Sequence, residues 1–278
     1  MATRSRGLED VLHFFIPEDE QRRARAARRS EDARSAGLDS DGSSARGSHA
    51  EGDADSGRRP SKVGRWVLAA DPRRPLSAAL AVDLVTALQR NGAPSEILSA
   101  TPPPLPWRDS RAVSWTRVAS PHAARSALGD RRQGGTRLLA LAPQALPEWL
   151  PALGPSVCTD GLLLAVDASP RSLDAMRSAL QEVSRRAGDA SAIPWIGAIA
   201  MGAADPEIGR RALRQAAELT RGILGRDLRK LGGFPHDRAS FRSLLQGQPV
   251  FEVDSNAASA RCLRRIALAL EARVAQRA

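Results

Sequence analysis

Beyond residue 62 the chain alternates short, continuous apolar runs with longer stretches whose apolar residues recur at helical intervals. Trp66–Ala70 (WVLAA), Ser95–Ala100 (SEILSA), Thr136–Pro143 (TRLLALAP), Gly161–Ser169 (GLLLAVDAS) and Trp195–Gly202 (WIGAIAMG) read as buried strands. Between them Ala78–Gln89, His122–Leu128 and the stretch beginning at Pro206 (PEIGRRALRQAAELTRGILG) carry helical spacing. SPRSLDAMRSALQEVSRR starts as a capped helix, with Ser169 at the N-cap and Pro170 at the first helical position. DLRKLGGFPHD leads through a last short strand, and closing helices are expected around Phe241–Gln246 and Ala257–Gln276. Apolar strands alternating with helices predict an α/β fold, a mostly parallel sheet with helices on both faces.

The N-terminal part follows a different pattern. Residues 1–29 are expected to form a short amphipathic and charged helical segment. Leu8, Leu12 and Phe15 fall at i, i+4 and i+7, and Phe14 and Ile16 add apolar area before Pro17 stops the turn. A charged stretch with acids first and arginines last follows. Residues 30–62 are Ser, Gly, Ala, Asp and Arg with almost no large apolar side chain, the composition of a disordered linker. Residues 63–278 then make one α/β domain, long enough to enclose a three-layer core. The island at Leu8–Ile16 has two destinations open to it, its own domain or a groove on a partner protein.

Charge sharpens the picture only partly. The formal excess of +10 lies entirely on residues 63–278, because the first 62 residues balance. Such a domain can attract nucleic acid or an anionic membrane surface. Yet lysine occurs only at Lys62 and Lys230 and tyrosine not at all, a bias that accounts for much of the arginine. The basic residues are also spread along helices without interleaved aromatics. Cys158 and Cys262 lack metal-type spacing and read as reduced core residues. With no long apolar stretch and no apolar leader, a soluble cytoplasmic protein is expected.

Trp66–Gly92 is laid out as a phosphate-binding strand–loop–helix, but its loop, DPRRPLS, lacks the chemistry. A phosphate loop needs glycines whose N–H groups wrap the phosphates, a lysine, and a hydroxyl for Mg²⁺. This loop contains two prolines and neither glycine nor lysine. Other catalytic patterns are also missing. The four histidines, His13, His49, His122 and His236, form no HExxH or Cys/His arrangement, and no G-x-S-x-G is present. Asp167 ends a strand, where α/β proteins place site residues, but Ser169 and Asp174 nearby make no triad. No catalytic residue, metal ligand or cofactor is assigned.

The order of pieces from Asp160 onward, TDGLLLAVDASPRSLDAMRSALQEV and then IGRRALRQAAELTRGILGRDLRKLGGFPHD, QGQPV and SNAASA, resembles the MinD/ParA family of deviant-Walker P-loop ATPases. Within it the chain is most similar to the flagellar-number regulators (FlhG). The resemblance spans about Arg65–Leu270 and is weakest between Thr101 and Arg132. It implies a nucleotide-switch fold whose signature residues are substituted here. The deviant Walker A falls on Pro72–Ala79, so its lysines become Pro72 and Ser77 and its Mg²⁺ hydroxyl becomes Ala78. The Walker B carboxylate falls on Leu141, and the adenine-reading pair on Met201 and Gly202. The degenerate nucleotide positions left are Arg73, Arg74, Ser77, Pro235 and Asp237.

The resemblance therefore implies a nucleotide-binding-deficient scaffold or positioning protein, with a protein partner that could be an active relative. Two alternatives stay open: residual nucleotide binding through ligands such as Arg73, Arg74 and Asp167, and non-specific DNA association by the basic domain. Relatives often end in a membrane-binding amphipathic helix. Here the closing stripe of Cys262, Leu263, Ile266 and Leu270 is what a last core helix requires.

Overall fold

The apolar runs become seven parallel strands among the described residues: β1 (Arg65–Ala69), β2 (Ser95–Ser99), β3 (Ser114–Arg117), β4 (Thr136–Leu141), β5 (Gly161–Val166), β6 (Ile196–Met201) and β7 (Leu228–Phe234). They form one sheet in the order β3-β2-β4-β1-β5-β6-β7. The computed structural model describes residues 64–102, 107, 113–130, 135–153, 160–187, 193–202 and 205–277, all within Gly57–Ala278. The segments expected at 1–29 and 30–62, with Leu8, Leu12, Phe14, Phe15 and Ile16, lie outside these residues, as does Cys158.

Eight helices are described: α1 (Pro75–Arg90), α2 (Pro121–Gly129), α3 (Leu146–Leu153), α4 (Pro170–Ala187), α5 (Pro206–Leu224), α6 (Arg238–Gln246), α7 (Val250–Val253) and α8 (Ala258–Arg277). The period-2 alternation of β1 divides the core between two faces. Trp66 and Leu68 pack with Leu84 and Leu88 of α1, Phe251 of α7 and Leu263 and Leu270 of α8. Val67 and Ala69 face α2 to α5, meeting Trp149, Leu180 and Leu213. Val67 stands between Leu139 of β4 and Leu162 of β5 in the parallel register, so the central strand is covered on all sides. Two glycines let Trp195 lie against the sheet. A Cβ on Gly161 would come within 2.7 Å of its ring, and one on Gly197 within 2.6 Å. The ring meets Trp66 edge-on at 5.5 Å.

Several boundaries differ from the sequence reading. β3 and α3 were not expected, and the strand expected to run through Pro143 stops at Leu141, where a 3₁₀ turn at Pro143–Ala145 leads into α3. α1 starts at Pro75 rather than Ala78, because proline is preset for the first helical position. That shortens the β1–α1 loop and carries Ser77 into the helix. The last strand is seven residues long, with the exposed charges Arg229 and Lys230 and a register shift opposite Ala198 and Ile199 guarding its free edge. Leu263, Ile266 and Leu270 are buried in the sheet core, whereas Cys262 is a half-buried free thiol rather than part of the closed stripe. Exposing those three side chains to water would cost about 1.5–3 kcal/mol each, so the stripe serves the core. No helix among the described residues is long and apolar enough to cross a membrane.

Candidate functional site at the carboxyl edge of the sheet

In a parallel sheet the strand-to-helix loops gather at the carboxyl ends of the strands, and ligands enter there. The loop after β1 is braced by a bond to β4 and by contacts among its own side chains. The Ala70 N–H donates to the Leu141 carbonyl at 2.9 Å, tying the loop to β4. Arg73 wraps the Asp71 carboxylate: its backbone N–H donates to Oδ1 at 3.1 Å, Nε to Oδ1 at 3.0 Å and a terminal nitrogen to Oδ2 at 3.1 Å. Arg74 adds a looser contact at 3.9 Å. Burial pulls the Asp71 carboxyl upward, but the Arg73 hydrogen bonds and both guanidinium charges outweigh it and hold the group below its ordinary value. Arg74 is the N-cap of α1 and makes no side-chain cap, while Pro72 and Pro75 contribute no N–H at all. Ser77 lies half-buried in the first turn of α1.

At the next strand ends the side chains serve local structure. Leu141 is buried with Leu146 and Trp149. Asp167 accepts the Ser169 N–H at 2.8 Å and the Ser169 hydroxyl, and Ser169 in turn accepts the Ser172 N–H at 3.2 Å. That chain of bonds is the cap of α4, with Ser169 in its expected place.

Beyond β6, Gly202 adopts φ +65°, and a Cβ there would stand 2.4 Å from Cε1 of His236. The imidazole of His236 therefore lies directly on the Gly202 backbone, edge-on to Phe241 at 5.7 Å. Its Nε2 is buried without a hydrogen-bond partner. Burial lowers the pKa of His236, and the neighbouring Asp237 opposes that shift without overcoming it.

Asp237 is the structural hub of this edge. Its Oδ1 accepts the Ser240 N–H at 2.9 Å and the Ser259 hydroxyl at 2.9 Å, while Oδ2 accepts the Ser259 N–H at 2.8 Å. One carboxylate thus caps α6 and joins it to the first turn of α8. Pro235 adds its carbonyl as a weaker acceptor for the Ser240 hydroxyl, at 3.4 Å. The sequence reading passed over Asp83, a fully buried carboxyl in the middle of α1. A charged residue inside the apolar run LAVDLVTAL was the signal for it.

Of the predicted positions, Arg73 and Arg74 are brought together on Asp71, and Pro235 and Asp237 share one loop. Asp167 takes part in the cap of α4 through Ser169. The arginines of α4 and α5 also meet acids nearby, Arg186 with Glu182 and Arg210 and Arg214 with Glu207.

The sheet order, crossovers and site edge define a three-layer α/β domain built around a parallel sheet. No family model matches the chain, and no curated protein matches it in sequence. Among solved structures, the MinD cell division protein of Aquifex aeolicus matches with a TM-score of 0.53 and 13% identity, over 75% of this chain and 97% of that one. The MinC:MinD cell division protein complex of the same organism gives a TM-score of 0.53 and 13% identity, over 75% and 96%. The domain has the MinD-type fold.

Proposed function

We propose that this chain is a nucleotide-binding-deficient protein of MinD/ParA architecture, near the flagellar-number regulators, that works as a binding or positioning module, a scaffold or a regulator. The observation that carries this reading is the β1–α1 loop. Mg·ATP is the ligand such a fold implies, and the residues present do not suit it. A triphosphate needs a nest of glycine N–H groups and a lysine, whereas this loop offers Pro72, a short helix lead-in at Pro75, and an Arg73 already engaged by Asp71. The resemblance puts the adenine-reading pair on Met201 and Gly202, and here the His236 ring lies on the Gly202 backbone. Titration calorimetry of the full chain with Mg·ATP is expected to give no binding in the micromolar range. A micromolar isotherm would overturn the reading.

A fold without a nucleotide trigger has to act through surfaces and tethered peptides. The MinC:MinD complex is a structure in which this fold carries a protein partner. Polar, flagellar or chromosome-partition machinery is the setting the resemblance suggests. We assign partner capture to Leu8, Leu12, Phe14, Phe15 and Ile16, a concentration of apolar side chains too short to fold alone. Deleting residues 1–17 should leave the melting of the 63–278 domain nearly unchanged while removing partner capture in a pull-down. A lower melting temperature with capture intact would assign the island to the core instead.

A further inference from the structure

Asp83 is fully buried in α1, on a helix that packs against α6, α7 and α8. One carboxyl oxygen accepts the Val250 N–H at 2.7 Å, a bond that joins residues 167 positions apart. The other oxygen has no hydrogen-bond partner. Val250 opens α7, a single turn of four residues. That turn is held by the Asp83 bond, by the buried Val250 and Phe251 side chains, and by Arg90 and Arg264, whose guanidinium carbons lie 5.2 and 5.7 Å from the centre of the Phe251 ring. Asp237, in the loop between β7 and α6, is the ionisable group whose charge bears on Asp83, and its sign is the same. The buried side chains of the packed elements, Ser240 and Ser243 on α6, Val250 and Phe251 on α7, and Ser259 and Leu263 on α8, are not titratable.

We propose that α7 is a pH-gated latch: ionisation of Asp83 releases residues 247–257 from α1 while the rest of the domain stays folded, baring Val250 and Phe251. An enclosed carboxylate with one unpaired oxygen and a like charge nearby must be reached by water, because leaving it dry costs several kcal/mol. The surrounding elements differ in how easily they yield. α1 and α8 carry the sheet core, whereas α7 is one turn between two loops, and small units open at less cost than the whole domain. Burial pushes the Asp83 carboxyl up to about 8, with the Val250 hydrogen bond opposing and the Asp237 charge assisting. The latch therefore works in the mildly alkaline range, whether or not the chain binds a nucleotide.

Hydrogen exchange of the full-length protein at pH 6.5 and pH 9, corrected for intrinsic rates, tests this. Residues 247–257 should lose protection on the order of tenfold, following the ionised fraction, while β1 and β5 keep theirs. Asp83→Asn, which keeps an acceptor for Val250 but cannot ionise, should abolish the difference. Unchanged protection in the wild type, a loss spread over the whole domain, or the same pH dependence in the variant would each overturn the proposal. The wild-type profile decides on its own should the variant fold poorly, since a transition centred far from pH 8 also contradicts it.

Discussion

Replacing Asp83 by asparagine is expected to flatten the pH dependence of folding stability. In the folded domain the Asp83 carboxyl keeps its proton up to about pH 8, against 3.8 for an unperturbed aspartate. Between those values the folded state binds a proton that the unfolded chain has released. The stability that Asp83 contributes is therefore fully present below pH 3.8, falls as pH rises toward 8, and levels off above it. At about 1.4 kcal/mol per pH unit, the loss between pH 5 and pH 8 comes to roughly 4 kcal/mol, or less where α7 opens first. His236 works in the opposite direction on the acid side: burial depresses its pKa, so its contribution is present above pH 6.5 and lost below it. That term is common to both proteins and cancels when they are compared. Urea unfolding of each at a series of pH values measures the difference. Parallel curves would mean that Asp83 is solvated or paired in solution, and the latch would fall with it.

The parts of this fold that could be read in the sequence are those whose side chains settle local structure and burial together. β1, β4, β5 and β6 are apolar runs buried on both faces, so their type and place follow from composition. Ser169 and Pro170 announce the start of α4 because capping is a local matter. β3 could not be read this way. Ser114, Thr116 and Arg117 are exposed, and the strand exists through its pairing with β2, a contact between distant segments. The start of α1 was misplaced because a loop expected by analogy with phosphate binders outweighed the helix-starting preference of Pro75. At the site edge, the absence of glycine and lysine from the β1–α1 loop was plain from the letters alone. The Asp71–Arg73 pairing was not, since it depends on how a tight turn brings residues two apart face to face. Asp83 was hidden for a related reason: α1 is buried nearly all round, so an acid on it faces a neighbour only once α7 is folded against it.

Asp237→Ala is expected to cost the domain about 1–4 kcal/mol, because three hydrogen bonds at two helix starts are lost together and each cap contributes roughly 0.5–2 kcal/mol. For a domain of this size that is a fall in melting temperature of about 2–16 °C. Asp237→Asn, which retains one carbonyl acceptor, should lose less. The measurement separates two roles for a residue that the family resemblance places beside a nucleotide. A ligand-binding side chain with no structural duty would leave melting in plain buffer unchanged. A double cap lowers it in the absence of any ligand, and added Mg·ATP does not restore the difference. The substitution has a second consequence that a simple loss of caps does not produce. Removing the like charge near Asp83 makes ionisation of the buried carboxyl easier, so its titration should move to lower pH in Asp237→Asn. A shift in that direction, combined with the loss of melting temperature, would show that Asp237 holds the starts of α6 and α8 and sets the pH at which α7 lets go. No shift would leave Asp237 as a cap alone.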